Sequence, residues 1–125
     1  MLGKSFDDNK PLFLQIKERI EDQIISGTLD EDMQIPSTTQ IVEFYKINHI
    51  TVAKGVNLLV DEKILYKKRG VGIFISIGAK DMLIKKRQEL FLIQYMKPML
   101  TEAKKLGINI KILIEMMEQE EKSNE

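Results

Sequence analysis

No cysteine occurs among the 125 residues. That excludes disulfide staples and thiolate metal sites, and it suits a reducing compartment. Histidine occurs once, at His49, with no sequence partners that would complete a catalytic triad. One histidine also argues against a transition-metal centre. A phosphate-binding glycine loop, a zinc pattern and a Gly-x-Ser-x-Gly element are all absent. The chain therefore reads as a non-enzyme that needs no metal and no cofactor. Long apolar runs are missing too. Stretches such as Ile110 to Met117 are interrupted by charge and too short to cross a bilayer. The first ten residues, MLGKSFDDNK, hold acids and no apolar run, so no signal peptide is readable. The expectation is a cytoplasmic protein with no membrane partner.

Excess charge of either sign is also missing. Nineteen Lys and Arg balance nineteen Asp and Glu. A nucleic-acid-binding domain is usually basic, so the balance weighs against one. The charges are unevenly placed, however. Six basic residues and two acids lie between Lys46 and Arg69, whereas five acids and one lysine follow from Glu115 onward. A local basic face can contact phosphates while the rest of the chain balances it. Apolar residues at 43% and charged residues at 30% place the chain among globular proteins.

What is present falls into an order. A first helix starts near Pro11, where a missing N–H costs nothing. Phe13, Ile16, Ile20 and Ile24 give it one apolar face, and Gly27 stops it. Met33 and Ile35 suit a short strand. Ser37-Thr38-Thr39-Gln40 reads as a capping box for a short helix to about Tyr45. That helix turns Ile41, Val42 and either Phe44 or Tyr45 to the core. After a tight turn at Lys46-Ile47, Asn48 caps another helix, which buries Val52, Val56 and Leu59. Two helices so closely joined have the spacing of a helix-turn-helix. Ile64-Leu65-Tyr66 and Ile73–Ile77 then read as strands around a Lys67–Gly72 turn with two glycines. A basic hairpin directly after a helix-turn-helix makes the motif winged.

Beyond Gly78-Ala79 the pattern becomes helical only. One long helix from about Lys80 to Lys105, interrupted by Pro98, carries Leu92, Met96, Met99, Leu100, Ala103 and Leu106 as a broad apolar stripe. Asn109 caps a last helix whose apolar face is Ile110, Leu113, Ile114 and Met117, with Ile108 and Leu113 spaced as a hydrophobic staple. The tail from Glu118 to Glu125 is polar and expected to fray. The fold class is thus mostly α with a small β-hairpin. Residues 1–78 form a winged helix-turn-helix DNA-binding domain, and residues 79–125 form a two-helix dimerisation appendage.

On those elements the candidate DNA contacts are Ser37, Thr38, Thr39, Asn48, His49, Ile50, Thr51, Lys54, Lys67, Lys68, Arg69 and Gly70. Hydroxyls and free N–H groups at the start of the first short helix suit a phosphate. His49 suits a purine N7 or a phosphate, and Lys54 a phosphate or a guanine. Ile50 and Ala53 suit a thymine methyl, and Asn57 an adenine. Lys67, Lys68 and Arg69 on the wing suit the adjacent minor groove. Each signal alone is weak; their joint order carries the reading. The candidate dimer contacts are Leu92, Met96, Met99, Leu100, Leu106, Leu113 and Met117, a stripe too wide for a lone two-helix appendage to bury.

Several blocks resemble the GntR family of bacterial transcription regulators. They are Pro11-Leu12-Phe13-Leu14-Gln15-Ile16, Gly27-Thr28-Leu29, Ile35-Pro36-Ser37, Thr51-Val52 and Arg69-Gly70-Val71-Gly72-Ile73-Phe74-Ile75, over about Pro11 to Ser76. The short helical tail resembles the YtrA-like branch rather than branches with a large effector-binding domain. The resemblance implies a homodimer on a near-palindromic operator, repressing an operon that often encodes an ABC transporter. A small-molecule effector fits this organisation, although the sequence does not name one. Five positions depart from the family pattern. Thr39 and His49 stand where arginine is usual, and Glu31-Asp32 stands where Pro-Gly is usual. Lys63 replaces a glycine, so it is expected at positive φ. The rival reading is a winged-helix protein-interaction module without DNA binding, favoured by the neutral charge and opposed by Lys54 and the basic wing.

Overall fold

The computed structural model describes residues 6–124. Half of the N-terminal decapeptide and the last residue of the tail lie outside them. The chain divides into two compact units, residues 1–85 and 86–125. The first unit contains α1 (Leu12–Ser26), α2 (Thr38–Tyr45), α3 (His49–Asp61), β1 (Leu65–Lys68), β2 (Gly72–Ile75) and the start of α4 (Ala79–Phe91). Its end differs from the compositional boundary at Gly78-Ala79. Ala79 and Leu83 are buried in the core of the first unit, so its packing runs one and a half turns into α4.

Three helices supply eight of the fourteen residues of that core. Ile16, Ile20 and Ile24 come from α1, Ile41 and Tyr45 from α2, and Val52, Val56 and Leu59 from α3. Of the two aromatic candidates on α2, Tyr45 is buried and Phe44 stays exposed. α1 and α3 approach closely at Gly55. A Cβ there would sit 2.6 Å from the carbonyl oxygen of Phe13, so no larger residue fits without moving a helix. Buried Gln15 ties down the preceding segment. Its amide accepts from Asp7 N at 2.7 Å and donates to the Lys10 carbonyl at 2.8 Å.

The helix ends follow from local chemistry. Gly27 is left-handed at the end of α1. Lys46 closes α2 at φ 58°, its N–H bonding the Val42 carbonyl at 2.8 Å. Lys63 ends α3 at φ 65°, the conformation expected of it. There the N–H groups of Lys63 and Ile64 bond the Val60 and Leu59 carbonyls, a Schellman motif made without glycine.

β1 and β2 are antiparallel, with Tyr66 opposite Phe74 and Lys68 opposite Gly72. The Met33–Ile35 segment lies along the other side of β2. Ile35 N bonds Ile73 O at 2.9 Å, and Ile75 N bonds Met33 O at 3.0 Å. Asp32, at φ 66°, turns the chain into this edge. The neighbouring Glu31 reaches the N-terminus of α4, accepting from Gly78 N at 2.8 Å and Lys80 N at 3.3 Å. The two residues that replace the usual Pro-Gly thus make a tight turn and cap a helix 47 positions away.

The second unit contains a π-helical turn (Leu92–Met96), α5 (Lys97–Lys105) and α6 (Ile110–Ser123). The expected Pro98 defect takes this form. Proline offers no N–H and its ring crowds the carbonyl four residues back. The wider turn just before it opens the ladder, and Lys97 N bonds Leu92 O instead. α5 ends at Gly107, with Ile108 N on Ala103 O at 2.9 Å and Gly107 N on Lys104 O at 3.3 Å. Asn109 caps α6 by accepting from Ile112 N at 2.9 Å. The tail expected to fray is helical as far as Ser123. Glu118 and Lys122 stand i, i+4, and Lys122 lies in the last turn, where a cation suits the helix dipole. Among the described residues of this unit only Ala103 and Leu113 are buried. Leu92, Met96, Met99, Leu106 and Met117 are exposed and Leu100 is half-buried. No helix among the described residues is long and apolar enough to cross a membrane.

Candidate nucleic-acid interface

α2 begins with a complete capping box. Gln40 N donates to Ser37 Oγ at 3.1 Å, and Ser37 N donates to Gln40 Oε1 at 2.8 Å. Ser37 and Thr39 are exposed and Thr38 is half-buried, so this helix start is open to a phosphate. The Ser37 hydroxyl itself is occupied by the cap.

Three residues link α2 to α3, the last being the cap Asn48, whose Oδ1 accepts from Ile50 N at 2.7 Å. With Val52, Gly55, Val56 and Leu59 turned inward, the opposite face of α3 is open. His49, Ile50, Ala53, Lys54, Asn57, Leu58 and Asp61 make up this face. It therefore gathers His49, Ile50 and Lys54 from the expected contacts. Ser37–Thr39 and the wing residues lie outside it. Thr51 is half-buried at its side. Lys54 is also engaged within the protein, its ammonium 3.9 Å from the centre of the Phe13 ring.

The wing tip is narrower than its sequence suggested. Lys67 and Lys68 belong to β1, and only Arg69, Gly70 and Val71 form the turn. Val71 N closes it on Lys68 O at 2.9 Å, with Gly70 at φ 75°. Pairing reaches further because Lys68 finds an aromatic face. Its ammonium sits 4.6 Å from the Phe74 ring, which is stacked on Tyr66 at 5.7 Å. Alternation along the strand puts Lys67 on the other face. Arg69 is left as the exposed cation at the tip. The Tyr66 hydroxyl donates to Asp32 Oδ1 at 2.6 Å, and this bond to a carboxylate, helped by burial and by the negative charge, raises the tyrosine pKa.

One ion network ties α1 to the end of α3. Lys17 on α1 meets Glu21 at 3.0 Å and Glu62, at the end of α3, at 3.2 Å. Burial works to lower the Lys17 pKa. The hydrogen bonds and charges of the two glutamates outweigh it, and the net pKa is raised. Sequence reasoning did not find this network, nor Asp61, Gly55 or the Glu31 cap. Asp61 was visible as an acid one turn beyond Asn57. The other three depend on contacts distant in sequence.

Residues 12–75 match the family described as bacterial regulatory proteins, gntR family. The chain belongs to the GntR family. The HTH-type transcriptional repressor NagR of Bacillus subtilis (strain 168) is 38% identical over 66 residues, which are 53% of this chain and 27% of NagR. The chain spans about a quarter of the length of the curated relatives it matches. A solved putative GntR-family transcriptional regulator from Bacteroides thetaiotaomicron is 34% identical, covers 91% of this chain and 99% of its own, and superposes with a TM-score of 0.75. AraR(DBD), solved in complex with operator ORR3, is 29% identical, covers 61% of this chain and 89% of its own, and has a TM-score of 0.53. The GntR segment ends at the last residue of β2, so the match covers the winged helix-turn-helix.

Proposed function

We propose that the chain is a sequence-specific, DNA-binding transcriptional regulator, acting in the cytoplasm as a homodimeric repressor. The carrying observation is the open outer face of α3 within a GntR winged helix, in a chain similar to a domain solved on its operator. In this reading α3 enters the major groove, the start of α2 holds a phosphate, and Arg69 reaches the minor groove. Thr39 and His49, in place of the family's arginines, give the operator its own sequence. Apolar residues exposed on the second unit support pairing of two chains. A twofold dimer would read a near-palindrome with half-site centres ~10 bp apart, one helical turn, or a multiple of it. The two helices α5 and α6 that follow the winged helix suit a YtrA-like regulator, whose neighbouring genes would then encode a transporter.

A gel-shift with DNA from upstream of the protein's own gene tests the reading. The expected result is specific, salt-sensitive binding by a dimer. Absence of specific binding at low salt, with the protein folded and dimeric, would favour a protein-interaction module instead. A monomer by light scattering at micromolar concentration would remove the dimer.

A further inference from the structure

A lone exposed isoleucine on a protein surface needs no special explanation. Ile50 is different because of its position. It is 77% exposed, and it is the second residue of α3. The first turn of such a helix is the part that meets base edges. Several polar side chains of that turn already have work to do. Asn48 spends its carbonyl on Ile50 N, at 2.7 Å. Thr51 is half-buried, and the Lys54 ammonium is held over Phe13 at 3.9 Å. What remains forward on that outer face is His49, Ile50 and, one turn behind, Ala53. Ile50 and Ala53 stand i, i+3 on one helix face and form an apolar step. A branched side chain of few rotamers offers this step already ordered.

We propose that Ile50, backed by Ala53, is a specificity-determining residue that reads the 5-methyl group of one thymine in each operator half-site. In the major groove that methyl is the only apolar feature that distinguishes one base from the others. The inference rests on the reading of the chain as a DNA-binding regulator. It makes base selection depend in part on an apolar contact beside His49.

The test uses the full chain and a duplex that it selects from random sequence. Each thymine is replaced in turn by deoxyuridine, which removes the methyl and nothing else. One position per half-site is expected to lose about fourfold in affinity, the worth of one buried methyl group. Ile50→Ala should bind both duplexes equally, while Ile50→Val should keep part of the discrimination. Because Ile50 is exposed, the melting temperature of both variants should match the parent. If no deoxyuridine matters, or if the loss persists in Ile50→Ala, the proposal is overturned and the regulator reading stands. If no sequence is enriched over random, the regulator reading fails and this inference fails with it.

Discussion

The two units of this chain use their apolar residues in opposite ways. In the first, fourteen hydrophobic residues share one continuous core, and the most exposed ones, Ile50, Val71 and Ile77, are scattered. In the second, Ala103 and Leu113 are buried, while leucines, isoleucines and methionines from Leu90 to Met117 remain open. Composition hardly separates the two. The difference is geometric. Two helices joined at Gly107 can bury only the narrow seam between them, whereas three helices and a small sheet enclose a volume. The first unit encloses most of its apolar residues. The second leaves a broad stripe of them exposed.

Core truncation should break the comparison most severely. Leu59→Ala is expected to cost the first unit about 3 kcal/mol, read by denaturant unfolding, and the cost should not vary with protein concentration. Leu92→Glu with Met96→Glu should do the reverse, leaving the first unit's unfolding unchanged while shifting the molecular mass by light scattering towards that of one chain. Equal effects of the two changes would erase the distinction. Gly55→Ala sharpens it. In an exposed helix that change stabilises by up to ~1 kcal/mol. Here the new Cβ meets Phe13 O, and a net loss of ~2 kcal/mol is expected from forcing α1 and α3 apart. An unchanged melting temperature would mean that the crossing is loose.

Smaller effects belong to the edges of the first unit. Lys63→Gly should gain about 1 kcal/mol by relieving the left-handed conformation. Lys17 has a folded pKa above its unfolded value of ~10.4. The stability it contributes is therefore full below that value and lost as pH rises through the folded pKa. Replacing it by methionine should flatten the alkaline limb of the stability curve. Loss of stability below pH 9 that disappears in this variant would contradict the network with Glu21 and Glu62.

The reach of the sequence follows the same division. Ser37, Asn48 and Asn109 announce their helices because a cap is a local bond, made within three residues. The positive φ at Lys63 was legible only through the family resemblance, because Lys63 stands where a glycine is usual. Gly55 was not, because its reason lies on another helix. Nor was Glu31, whose partners are Gly78 and Lys80. The wing tip was misjudged since Lys68 pairs in β1 under the pull of Phe74, an influence across the hairpin. The tail runs on as a helix to Ser123 although it lacks apolar residues. On the candidate interface, the sequence located His49, Ile50, Ala53, Lys54 and Asn57 on the outer face of α3 and missed Leu58 and Asp61. It did not reveal which of them were already spoken for by Asn48's cap or by Phe13.

The π turn from Leu92 to Met96 has a consequence for the length of the chain. Such a turn holds one more residue than an α-helical path between the same ends. Deleting one residue inside it, together with Pro98→Ala, would leave an ordinary helix whose faces before and after stay in phase. The same deletion elsewhere in an α-helix would swing everything beyond it by about 100°, the angle of one residue in a 3.6-fold turn. This short segment is therefore the one place along that stretch where the chain could lose a residue and keep its seams aligned.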